Sequence, residues 1–111
     1  MKKKLEQLDF CPLQGALQVI GGKWKLVILW HLEHHKKLGF NALRNTISTI
    51  STKVLSEQLV QLQEAGLIRR DVQPTNPPQV HYSLTKTGHT LNPIIKQLYE
   101  WGEKFSNYQS S

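Results

Sequence analysis

A single cysteine, Cys11, excludes a disulfide framework within the chain and suits a reducing cytoplasm. No apolar run is long enough to span a bilayer. The basic start Met1-Lys2-Lys3-Lys4 resembles that of a signal peptide, but Glu6, Gln7 and Asp9 follow where the apolar segment would be. Acidic residues number only eight, with no paired-carboxylate spacing, and neither a nucleophile elbow nor a phosphate loop occurs. These absences leave no catalytic residue to nominate and no cofactor to expect. They point to a cytoplasmic protein that is neither an enzyme nor a membrane protein.

What the chain does have is an excess of cations and enough apolar residues for a core. Fourteen Lys and Arg against eight Asp and Glu give a net charge of +6, which favours an anionic partner. Apolar residues make up 39% of 111 positions, with three each of Trp, Tyr and Phe. That length and content predict one globular domain over residues 1–111.

The apolar periodicity predicts mostly helix. Residues 1–9 read as a mobile Lys-rich arm, and Pro12 suits the first turn of a helix. Leu13, Ala16, Leu17 and Ile20 trace one face before Gly21-Gly22 breaks it. A second helix beginning near Lys23 is apolar nearly all round, from Trp24 to Leu32, and belongs in the middle of the domain. It ends in His31, Glu33, His34, His35, Lys36 and Lys37, mostly groups that sit well at the negative end of a helix dipole. The three histidines have metal-compatible spacing, but helix-end chemistry explains them better, and no metal is expected.

Gly39 marks a turn, and Phe40, Leu43 and Ile47 give a short third helix with Arg44 on its polar side. A hydroxyl-rich connection leads to Ser51, the predicted N-cap of a fourth helix whose Leu55, Leu59 and Leu62 share one face. Ala65-Gly66-Leu67 stops that helix. Residues 67–73 and 79–84 read as strands around the stiff loop Pro74-Thr75-Asn76-Pro77-Pro78. In the second strand Val80, Tyr82 and Leu84 point one way, and His81 and Ser83 the other. Thr85 caps a last helical region, with Pro93 either kinking it or marking its true start, and a polar tail frays from Ser106.

This order predicts a mainly α fold with a small β-hairpin: a winged helix-turn-helix. The helix-turn-helix covers residues 40–66, the wing 67–84 and C-terminal dimerisation helices 85–105. The fourth helix carries Ser51, Thr52, Lys53, Ser56 and Glu57 on a polar side. Alone, that side reads as a solvated face. Followed by a wing, it reads as a surface for base edges and phosphates in a DNA major groove. Arg44 joins this set, as do Arg70, Gln73, Thr75, Asn76, Gln79 and His81 on the wing. Arg69 and Arg70 alternate, so only one is expected to approach double-stranded DNA.

Several local patterns together resemble a known family. They are Cys11-Pro12, Gly21-Gly22-Lys23-Trp24, Phe40-x-x-Leu43, and Ile50-Ser51 through Val54-Leu55-Ser56. Leu59-x-x-Leu62-x-x-Ala65-Gly66-Leu67-Ile68, Pro77-Pro78-x-Val80-x-Tyr82-x-Leu84-Thr85 and Trp101-Gly102 complete the set. Over residues 10–102 the chain resembles the HxlR-type transcriptional regulators. The resemblance implies a bacterial homodimer that binds a pseudo-palindromic operator and represses transcription, although some relatives activate. The chain departs from the common pattern at Gly39, where a basic residue is frequent, at Thr52, where proline is, and at His81, where an acidic residue is.

Several members of the resembled family use a cysteine at the position of Cys11 to sense oxidants or electrophiles, so the resemblance implies a small effector of that kind. At a helix start the exposed N–H groups and dipole favour a thiolate. The alternative is a small apolar residue packed at the dimer interface. Two-fold symmetry requires recognition helices about one DNA turn apart, which assigns residues 5–20 and the last helix to that interface. Its named residues are Leu13, Leu17, Leu91, Ile95, Leu98, Trp101 and Phe105. The competing function is a winged-helix protein-interaction module without specific DNA binding.

Overall fold

Proline in the first turn and a glycine behind it bound the first helix. In the computed structural model, which describes residues 11–110, α1 spans Pro12–Ile20 between Cys11 as N-cap and Gly21 as C-cap. The Gln14 side chain accepts the Cys11 backbone N–H at 3.0 Å, which steadies the chain at the helix entrance. The expected arm at residues 1–9, including Lys2, Lys3 and Lys4, lies outside the described residues.

The all-round apolar stretch becomes α2, Lys25–His35, with Trp24 rather than Lys23 at its start. Ile28, Leu29 and Leu32 are 0–1% exposed, so this helix is the hub of the domain. It is followed by β1 (Lys37–Gly39), α3 (Phe40–Ile47), α4 (Thr52–Glu64), β2 (Ile68–Gln73), β3 (Gln79–Leu84), α5 (Lys86–His89) and α6 (Asn92–Ser110). Helix α2 packs against α3, α6, β1 and β3, and α4 packs against β2.

The hairpin expected from sequence is part of a three-stranded antiparallel sheet in the order β1-β3-β2. Gly39, expected as a turn, ends β1 opposite His81 and also caps α3. Three residues are too few to show a period-two pattern, and their partner strand lies far along the chain. The wing register runs from Ile68 opposite Leu84 to Gln73 opposite Gln79.

Leu67 belongs to a helix stop, not to β2. Gly66 sits at φ 76°, a conformation that favours glycine. Its N–H bonds the Gln63 carbonyl, and the Leu67 N–H bonds the Leu62 carbonyl, both at 3.0 Å. This six-to-one closure turns the chain sharply into the wing, with Leu62 and Leu67 buried across it.

The last helical region is two helices. Thr85 accepts the Gly88 N–H at 3.1 Å and so caps α5. Pro93 lies in the first turn of α6, so it marks a helix start and introduces no kink. The tail expected to fray from Ser106 continues as helix to Ser110. Buried apolar side chains come from α2, α3, α4, β2, β3 and α6, whereas the only buried residue of α1 is Gly15.

Candidate nucleic-acid interface

The turn between α3 and α4 is short and is closed by backbone hydrogen bonds. Ser48 takes φ 65° and donates its N–H to the Arg44 carbonyl at 2.8 Å, while Thr49 donates to Ile47 at 2.8 Å. Ser51 then caps α4 as predicted, its Oγ accepting the Val54 N–H at 3.1 Å. Ile50 before the cap and Leu55 in the next turn are both buried, which fixes the angle at which the chain enters the helix.

This entry leaves Ser51, Thr52, Lys53, Ser56 and Glu57 exposed, with Leu55, Leu59 and Leu62 turned to the core. Arg44 reaches across the turn and donates from Nη1 to Thr52 Oγ1 at 3.2 Å. The guanidinium is thereby held beside the α4 N-terminus, with further N–H groups free to meet an anion. Sequence reasoning nominated both residues but missed that they touch, because the contact depends on the sharp turn between them. At the far end of α4, Lys25 Nζ donates to Gln61 Oε1 at 2.6 Å and ties the helix back to α2.

The wing projects the second set. Residues 71–79 are all exposed. Thr75 bonds within its own loop, donating its N–H to Gln73 at 2.8 Å and its hydroxyl to the Pro77 carbonyl at 2.8 Å. Gln73, Asn76 and Gln79 make up the rest of the exposed tip. Arg69 lies opposite Ser83 and Arg70 opposite Tyr82, so the two do face opposite ways. Arg69 is held by Asp71 at 3.5 Å, whereas Arg70 is exposed and no ion pair engages it among the described residues.

His81 does not stand with the exposed wing residues. It occupies the central strand between Gly39 and Asp71, half-buried, with Nδ1 shielded and lacking a hydrogen-bond partner. The alternation placed it on the outer face correctly but gave no sign of the strand that flanks it.

A second surface lies on α1 and α6. Leu13 is 67% exposed, Leu17 54%, Ile94 51%, Leu98 49%, Trp101 62% and Phe105 47%. On a helical projection Ile94, Leu98, Trp101 and Phe105 fall within a stripe roughly 60° wide. Ile95 lies to one side of it and is 7% exposed, packed in the protomer's own core. It therefore backs this surface instead of forming it, and Ile94 takes the outward place the sequence reading gave to Ile95. Leu91 is half-buried at the base of α6. Trp101 stacks on Phe105 with centroids 5.0 Å apart, and Trp30 of α2 stacks on Tyr99 at 4.9 Å beside an apolar groove. Cys11 is exposed at the start of α1.

The histidines at the end of α2 are engaged structurally. His34 Nδ1 lies 2.8 Å from the Trp30 carbonyl, and His89 Nδ1 lies 3.0 Å from Glu33 Oε1, joining α5 to α2. Burial, followed by the charges of His35 and His34, holds the His31 pKa below its ordinary value. Among the described residues no three of His, Cys, Asp and Glu gather as a metal site. No helix among them is long and apolar enough to cross a membrane.

A capped second helix presented across a tight turn, with a three-stranded antiparallel sheet beside it, defines a winged helix-turn-helix protein. Residues 19–110 match the HxlR-like helix-turn-helix family, and the chain belongs to it. It is similar to the uncharacterized HTH-type transcriptional regulator BH0655 of Halalkalibacterium halodurans, 42% identical over 106 residues and covering 96% of this chain and 94% of that one. The redox regulator HypR in its oxidized form is similar in structure, with a TM-score of 0.80 and 42% identity over 85% of this chain and 96% of that one. Its reduced form gives a TM-score of 0.83 and 39% identity over 90% and 98%. The protein is thus a transcriptional regulator of the HxlR type.

Proposed function

We propose that the protein binds a pseudo-palindromic operator in double-stranded DNA as a homodimer and represses transcription there. The observation that carries this reading is the exposed, capped tip of α4, where Ser51, Thr52, Lys53, Ser56 and Glu57 stand together with Arg44 latched against Thr52. Short hydroxyls and a flexible cation suit base edges and phosphates without lifting the helix out of a groove. Arg70 and the exposed wing tip supply the flanking contacts, and the net charge of +6 supplies attraction at a distance. The exposed apolar residues of α1 and α6 serve as the surface between protomers.

The test is a binding titration on the protein's own upstream DNA over a salt series. With about six phosphates neutralised, log affinity falls against log salt with a slope near −5. Lys53→Ala weakens binding to all sequences and reduces the slope by about one. A flat slope for the wild type would favour the protein-interaction reading instead.

Cys11 is the proposed switch, supported by its exposure at the α1 N-cap and by the likeness to a regulator described in oxidized and reduced forms. With one cysteine per chain, an oxidant removes two electrons and two protons as two thiols join, either between protomers or with a small thiol. An electrophile instead forms a carbon–sulfur bond as the thiol loses its proton. Diamide is expected to alter operator affinity in the wild type and not in Cys11→Ser. Equal behaviour of the two proteins overturns the switch and leaves the DNA reading intact.

A further inference from the structure

The outermost row of α4 is Lys53, Glu57, Val60 and Glu64, spaced i, i+4, i+7 and i+11 and turned away from the Leu55–Leu59–Leu62 seam. Three of these side chains are charged, as the outer row of a solvated helix ordinarily is. Val60 is not, and it is 52% exposed. It is the only strongly exposed large apolar side chain on α4. Its β-branch lowers helix propensity, so neither burial nor local conformation accounts for valine at this position.

We propose that Val60 reads sequence, its methyl groups packing on the C5-methyl of a thymine in the major groove. This rests on the reading of α4 as the recognition helix. The thymine methyl is the one apolar feature that base edges present in that groove. Over guanine or cytosine the same valine strips water from donors and acceptors and returns no hydrogen bond, so it rejects those bases as well as selecting thymine. Glu57 and Glu64 flank Val60 along the row. Lys53 precedes Val60 by about 10 Å along the helix axis, so the two side chains reach different parts of the site.

The experiment begins with a duplex selected by the wild-type protein from a random-sequence library. That duplex is remade with single thymines replaced by deoxyuridine, which lacks only the methyl group. At one thymine per half-site the wild type is expected to lose about fourfold in affinity, the value of one buried methyl. Val60→Ala exchanges an exposed residue for a better helix former and so retains the fold. It is expected to bind the thymine and uracil duplexes alike and to lose selectivity at that position. Thymine discrimination that persists undiminished in Val60→Ala, or none in the wild type, overturns the role of Val60 while DNA reading by α4 stands. If no sequence is enriched from the library at all, the DNA reading falls and this inference with it.

Discussion

Helices α4 and α6 are both amphipathic, yet only α4 completes its burial inside the protomer. Its seam residues Leu55, Leu59 and Leu62 are 0–2% exposed. Both of its ends are tied, by the Ser51 cap and Arg44 at one and by the Gly66 closure and the Lys25–Gln61 bond at the other. Helix α6 buries Ile95 and leaves Ile94, Leu98, Trp101 and Phe105 outside, each about half exposed or more. This stripe, and separately the exposed face of α1, leave several large apolar side chains in solvent, as interaction sites do. The difference fits the two proposed tasks. A helix proposed to read DNA must hold its shape alone, whereas one proposed to join protomers can leave apolar residues for a partner to cover.

The strongest way to break that contrast is to remove part of the α4 seam. Leu59→Ala is expected to cost about 3 kcal/mol in urea denaturation, because a fully packed site cannot collapse around the deleted atoms. A cost below 1 kcal/mol would mean the seam is not the anchor argued here. Next comes Trp101→Glu, which places a charge in the exposed stripe and is expected to weaken self-association by at least 30-fold in sedimentation velocity. Its helical circular dichroism should match the wild type. Ile95→Asp, only a few residues away, should unfold the protomer instead. If both variants behave alike, α6 does not divide into a core side and an outer side.

A smaller effect tests the cap. Ser51→Ala is expected to cost about 1 kcal/mol of stability and to lower DNA affinity, since the cap also sets the first turn of α4. The smallest effect concerns pH. His31 has a folded-state pKa below its ordinary value of 6.5, chiefly through burial and then through His35 and His34. The unfolded chain therefore binds the proton more readily, so the small contribution of neutral His31 is present above 6.5 and is lost as pH falls through the lowered folded value. His31→Asn should flatten thermal stability between about pH 7 and 5 relative to the wild type. An unchanged slope would assign the pH dependence to other groups.

Residues whose role is local were legible. Ser51 as N-cap, Thr85 as the next cap, Gly66 as the helix stop and the leucine seam of α4 all depend on neighbours within a turn or two. The Val80–Tyr82–Leu84 alternation also matches the inward face of β3. Residues whose role depends on distant segments were not legible. Strand β1 is invisible until β3 lies beside it, and His81 is displayed or enclosed according to whether that strand is present. Arg44 and Thr52 meet only through the turn geometry at Ser48, where a non-glycine residue takes a positive φ.

By itself the amino-acid sequence determined the first four helices and their order, the caps at Ser51 and Thr85, the helix stop at Gly66 and the chemistry on the tip of α4. Periodicity, caps and turn residues act over a few positions, so they are written directly into the chain. Only the tertiary structure decided that the hairpin joins a three-stranded sheet through β3, and that Ile95 turns inward while Ile94 turns outward. Burial on a helix with apolar residues on adjacent positions depends on which neighbour packs against it. That neighbour is supplied by the rest of the fold.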